Sequence, residues 1–127
     1  MPEIKRLPDA EFEIMRVIWN NEVPITTMNI MDKLDPSKKW KPQTVLTMLV
    51  RLVEKEFLES GKIGRERNYT PLISEADYME VETVSFKSRY FGNSLGSLIK
   101  TMYDGEDMSE DDLSDLQKWL SAKRKTI

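Results

Sequence analysis

Apolar residues recur at three- and four-residue spacing through the first third of the chain and again through its last half, with a short alternating stretch between. The pattern predicts helices on both sides of a small hairpin. Phe12, Met15, Ile18 and Trp19 mark a first helix of about three turns. It enters at Pro8-Asp9, where proline suits the first turn and Asp9 and Glu11 favour the positive end, and it stops at Asn20-Asn21 and Pro24. A shorter second helix, capped by Thr26 or Thr27, carries Ile30, Met31 and Leu34 and breaks at Asp35-Pro36-Ser37. A third opens at Trp40-Lys41-Pro42, runs to about Lys55, and turns Val45, Met48, Leu49 and Leu52 inward at i, i+3, i+4, i+7.

Phe57-Leu58-Glu59-Ser60 and Glu66-Arg67-Asn68-Tyr69-Thr70 read as two strands around Gly61-Lys62-Ile63-Gly64-Arg65, whose glycines permit a turn with basic residues at its tip. Three helices followed by such a hairpin predict a mainly α fold with a small β-hairpin wing, the winged form of the helix-turn-helix. Ser74-Glu75-Ala76-Asp77 resembles a capping box and starts a fourth helix that ends at Gly92-Asn93. Ser94 can cap a fifth helix and Ser109-Glu110-Asp111-Asp112 a sixth, with Asp104-Gly105-Glu106-Asp107 between them. The expected division is a winged-helix DNA-binding domain over residues 1–72 and an α-helical dimerisation domain over residues 73–127. The last helices carry Leu95, Leu98, Ile99, Met102, Leu113, Leu116, Trp119 and Leu120, with Phe86, Tyr90 and Phe91 upstream. One chain has too little mass to bury them all, so a second copy is expected to complete that core. The competing expectation is a compact monomer in which these helices fold back on the first three.

The third helix leaves Gln43, Thr44, Thr47, Arg51 and Lys55 facing out, with hydroxyls in its N-terminal half and cations further along. On a recognition helix the N-terminal residues reach base edges, so Lys41, Gln43, Thr44 and Thr47 are candidates for readout. Arg51, Lys55 and, from the wing, Arg65 are candidates for phosphate contacts. The formal charge of −3 says nothing for a nucleic acid, but its distribution does. Residues 1–71 carry 12 Lys+Arg against 11 Asp+Glu, and residues 72–127 carry 7 against 11. Between Lys38 and Lys55 the tally is five basic to one acidic, an excess that a negative polymer can use. The alternative is a winged-helix module that binds a protein partner without specific DNA binding.

With no cysteine and no histidine, the Ser-His-Asp and Cys-His nucleophiles, Cys/His zinc sites and thiol redox chemistry lose their groups. The five glycines form neither a phosphate-binding loop nor a dinucleotide turn. No catalytic residue, metal or cofactor is therefore expected. At 127 residues the chain has room for one ordinary domain or a small domain with an appendage. Its N-terminus lacks the apolar segment of a signal peptide and no apolar run reaches the length of a membrane span, so a cytoplasmic protein without direct membrane binding is expected.

Asp9-Ala10-Glu11-Phe12-Glu13-Ile14-Met15 with Ile18-Trp19, and Trp40-Lys41-Pro42-Gln43-Thr44-Val45 with Thr47 and Arg51-Leu52, resemble the penicillinase-repressor family, the BlaI/MecI repressors of beta-lactam resistance. Tyr69-Thr70-Pro71, Glu75-Ala76-Asp77-Tyr78, Asn93 to Ser97 and Met108-Ser109-Glu110 extend the likeness along nearly the whole chain. The resemblance implies a homodimeric repressor whose third helix enters the major groove of a palindromic, double-stranded operator and whose C-terminal helices form the dimer. It also implies release through a membrane sensor with a zinc peptidase domain, which cleaves the repressor in its fifth-helix region. The matching bond here is Thr101-Met102, and neither residue is the one usual in the family. Gln43 stands where lysine is common, Leu46 where a polar or basic residue is common, and Glu56 where glycine usually follows the helix, so a different helix-to-strand turn is expected. A related branch senses metal through a C-terminal cysteine cluster, which this chain lacks.

Overall fold

A computed structural model describes residues 4–92 and 94–126. The expectations for residues 1–3 at the N-terminus and for Asn93 at the end of the fourth helix lie outside the described residues. The elements run α1 (Asp9–Trp19), β1 (Ile25–Thr26), α2 (Thr27–Lys33), a 3-10 turn (Pro36–Lys38), α3 (Pro42–Glu54), β2 (Leu58–Ile63), β3 (Glu66–Pro71), α4 (Glu75–Phe91), α5 (Leu95–Asp104) and α6 (Glu110–Thr126). The chain divides into two compact units, Met1–Thr83 and Val84–Ile127. That boundary falls inside α4, whereas the sequence pattern suggested one at residues 72/73.

In the first unit the three helices and the sheet share one core. Ile14, Met15 and Ile18 of α1, Ile30 of α2, Val45, Leu49 and Leu52 of α3, Phe57, and Leu58 of β2 are all buried. Each such side chain contributes about 1.5–3 kcal/mol relative to an exposed position. Tyr78, from the first turn of α4, is fully buried among Phe12, Trp19 and Phe57, with ring centroids 5.6–5.7 Å away. Its hydroxyl accepts the Leu7 backbone N–H at 2.7 Å and donates to Glu82 at 2.5 Å. The Trp19 indole N–H donates to the Ile73 carbonyl at 2.9 Å, so α1 holds the segment leading into α4 from two sides.

The sheet has three strands in the order β1-β3-β2, all antiparallel. Two of these strands were expected as a hairpin; β1 is added because Ile25 and Thr26 pair with Tyr69 and Asn68. The hairpin turn is tighter than its two glycines suggested. Ile63 pairs with Glu66, leaving Gly64-Arg65 as a two-residue loop in which Gly64 takes φ +63°. Gly61 is needed for a different reason: a Cβ there would stand 2.9 Å from the buried Asn68 side chain across the ladder.

Capping follows local sequence. Thr26, Ser94 and Ser109 accept the backbone N–H three residues on, at 3.1–3.2 Å, and Asp112 returns the bond to the Ser109 N–H at 2.9 Å, which completes a capping box on α6. At the end of α3, Glu56 adopts the left-handed conformation, at φ +63°. Its N–H bonds Val53 O and that of Phe57 bonds Leu52 O, at 3.0 and 2.9 Å, with Leu52 and Phe57 both buried. A glycine would take this geometry without the Cβ penalty. Glu56→Gly is therefore expected to stabilise the protein by about 0.5–1 kcal/mol, read as a rise in the urea midpoint at unchanged slope.

The second unit has a different character. Among its described residues none is buried. Leu95, Met102, Tyr103, Trp119 and Leu120 are 39–57% exposed, and Phe86 and Tyr90, whose tilted rings lie 5.2 Å apart, are 42% and 63% exposed. Leu98, Ile99, Leu113 and Leu116 are half-buried. No described helix is long and apolar enough to cross a membrane.

Candidate nucleic-acid interface

Helix α3 begins with Pro42 in its first turn, where the missing N–H costs nothing, and its N-cap Lys41 is extended and exposed. Burial of Val45, Leu49 and Leu52 fixes which face looks out. Gln43, Thr44 and Arg51 are exposed, as sequence spacing indicates, and Thr47 is half-buried. The Thr47 hydroxyl donates to the Gln43 carbonyl one turn back, at 2.9 Å, so its proton is already committed within the helix. The side chains of Arg51 and, at the wing tip, Arg65 make no ion pair or hydrogen bond among the described residues and remain available to an anion. Lys62 and Arg67 flank Arg65 on the same hairpin, both exposed, with Arg67 3.5 Å from the Ser60 hydroxyl across the strands.

Lys55 departs from the expected cationic row. Its ammonium lies 2.6 Å from a Glu11 carboxylate oxygen, and the Glu11 side chain is 2% exposed while that of Lys55 is 31% exposed. The pair ties the end of α3 to α1, because an anion buried in the core requires a cation beside it. Glu11 had been assigned only to the positive end of its helix. A signal was present: Glu11, Ile14, Met15 and Ile18 stand at i, i+3, i+4, i+7, which puts the carboxylate inside the apolar stripe. Lys38, also in the basic stretch, pairs with Glu13.

Two exposed apolar residues share the outward side of α3. Leu46 is 38% and Val50 55% exposed, four residues apart. Both stand at the surface of the first unit. No group of three or more acidic, histidine or cysteine residues among the described ones is placed to hold a metal.

This arrangement has known relatives. The family model described as penicillinase repressor matches residues 7–122. The penicillinase repressor of Bacillus licheniformis is 36% identical over 120 residues, covering 94% of this chain and 93% of that protein. The methicillin resistance regulatory protein MecI of Staphylococcus aureus (strain N315) is 27% identical over 117 residues, covering 92% and 94%. Among solved structures, the DNA-binding domain of the repressor BlaI aligns with a TM-score of 0.53 at 42% identity, over 61% of this chain and 94% of that one. The monomeric form of Bacillus licheniformis BlaI in complex with the blaP half-operator aligns with a TM-score of 0.51 at the same identity and coverage. With the three-stranded sheet, the core and the outward row of α3 all falling within the matched residues, the chain belongs to the penicillinase repressor family.

Proposed function

We propose that this protein is a homodimeric transcriptional repressor that binds a palindromic operator controlling a beta-lactam resistance operon or a related one. The observation that carries the reading is the 42% identity to a protein solved on a half-operator, over 61% of this chain. Lys41, Gln43, Thr44 and Thr47 face base edges in the major groove, and Arg51 and Arg65 meet phosphates. Lys55 is left out of this set because Glu11 holds it.

Dimerisation resides in residues 73–127. From Val84 on, no described residue is buried, so the end of α4 with α5 and α6 needs a partner to cover its apolar faces, and a second copy does so by two-fold symmetry. Two half-sites are then read by two α3 helices, at a spacing of one or more helical turns. Trp119→Asp is expected to give monomers by sedimentation while leaving half-site binding intact. Release from DNA follows cleavage of Thr101-Met102 by the zinc peptidase domain of a membrane sensor. That bond lies in α5, and the carbonyls of Thr101 and Met102 accept the N–H groups of Gly105 and Asp107 at 3.0 Å, so the last turn must unwind before it is cut. If the purified peptidase domain leaves the bond intact, this route of release is wrong.

The deciding experiment is fluorescence anisotropy on duplexes tiled across the DNA upstream of the gene, at two salt concentrations. One palindromic duplex is expected to bind well above the rest. Arg51→Ala should weaken every duplex and reduce the slope of log K against log salt by about 1, whereas Thr47→Ala should chiefly erode the preference. Binding no stronger than background at low salt overturns the reading.

A further inference from the structure

The outward side of α3 changes chemistry along its length. Its N-terminal turn offers the Gln43 amide and the Thr44 hydroxyl, and Arg51 offers a guanidinium further on. Between them the helix has no free donor. Leu46 and Val50 are apolar and exposed, and Thr47 has given its proton to the Gln43 carbonyl. Four-residue spacing puts Leu46 and Val50 one above the other, so they make a continuous apolar strip beside the polar row. On a helix that lies in a major groove, a strip without donors cannot read hydrogen-bond acceptors. The apolar feature that the groove presents is the 5-methyl group of thymine.

We infer that Leu46 and Val50 form a thymine-methyl reader in the middle of the recognition helix and set part of the operator preference. The inference rests on the proposed DNA binding and specifies what the centre of that interface recognises. The occupant follows from continuity: the strip lies on the same helix as Gln43 and Arg51, within one turn of each, and any groove that admits those two also meets Leu46 and Val50.

The test uses the full-length protein and the tightest duplex of the tiled series, made once with thymine and once with deoxyuridine at every thymine position, then at single positions. Base pairing is unchanged and only the methyl groups are lost. Wild type is expected to lose about fourfold in affinity for each methyl that the strip covers, the equivalent of one buried methyl group. Leu46→Ala and Val50→Ala should bind the thymine duplex more weakly and show little further loss at the deoxyuridine positions that wild type senses. Arg51→Ala should weaken both duplexes alike and keep the methyl preference. Both apolar positions are exposed, so the variants should retain the wild-type unfolding midpoint. Specific binding with no methyl preference in wild type, or an equal methyl preference in Leu46→Ala and Val50→Ala, overturns the inference and leaves the repressor reading standing. A shift in the monomer-dimer equilibrium on Leu46→Ala, with operator preference unchanged, assigns the strip to a second copy and overturns it as well. Absence of any specific duplex instead removes the reading on which it rests.

Discussion

Tyr78→Ala is expected to cost about 3–5 kcal/mol, the usual range for emptying a large aromatic site. Small domains have total stabilities of about 5–15 kcal/mol, so the variant should be close to unfolded at growth temperature. The ring touches Phe12, Trp19 and Phe57 at once, two residues of α1 and the one just before β2. Tyr78→Phe keeps that packing and isolates the hydroxyl. It leaves the Leu7 N–H, on a residue only 4% exposed, without its acceptor, for an expected loss of about 1–3 kcal/mol. The two variants should therefore separate in urea denaturation, with the alanine form losing about twice as much stability.

The same hydroxyl gives the fold an alkaline limit. Burial, and then the hydrogen bond to Glu82, push the Tyr78 pKa up from 10.0 to about 12. A raised pKa means that the native state holds the proton more tightly than the unfolded chain does. The stabilisation is thus complete below pH 10 and drains away as pH climbs from 10 toward 12. Urea midpoints measured between pH 8 and 12 should fall in that window for wild type and fall less for Tyr78→Phe. An identical decline in the two proteins would show that another group sets the limit.

What the sequence disclosed, and what it concealed, divides along the range of the interactions. The caps at Thr26, Ser94 and Ser109 are made between residues three apart, and the pattern of hydroxyl and acidic residues was enough to locate them. The inward stripes of α2 and α3 were likewise readable from helical spacing, as was the exposure of Gln43, Thr44 and Arg51. Strand β1 was not, because two residues form a strand only by pairing with Tyr69 and Asn68 more than forty positions away. The turn at Glu56 is an intermediate case. The departure from glycine was visible in the sequence, but that Glu56 takes the left-handed conformation while the Phe57 N–H bonds the Leu52 carbonyl was not. Leu46 and Val50 stand outside the inward stripe of Val45, Met48, Leu49 and Leu52, and spacing alone assigned them to neither the core nor the outward polar row.

Lys55 is where a candidate site residue and a structural one must be told apart, and Lys55→Met does so. Removing the ammonium leaves the Glu11 carboxylate buried without its partner. Breaking a fully buried pair costs about 3–5 kcal/mol; with Lys55 31% exposed, water screens part of this, and about 2–3 kcal/mol is expected. The double variant Glu11→Leu, Lys55→Met replaces the pair by apolar side chains that can pack between α1 and α3, and it should recover most of the loss. A phosphate contact makes a different forecast. Were Lys55 bound to DNA, Lys55→Met would leave the urea midpoint near wild type and reduce the salt slope of operator binding by about 1, as Arg51→Ala should. The geometry calls for the opposite pairing of results, with stability lost and the salt slope kept. It then follows that the basic stretch between Lys38 and Lys55 offers DNA less charge than its composition suggests, because Glu13 and Glu11 neutralise its two ends and leave Lys39, Lys41 and Arg51 to act.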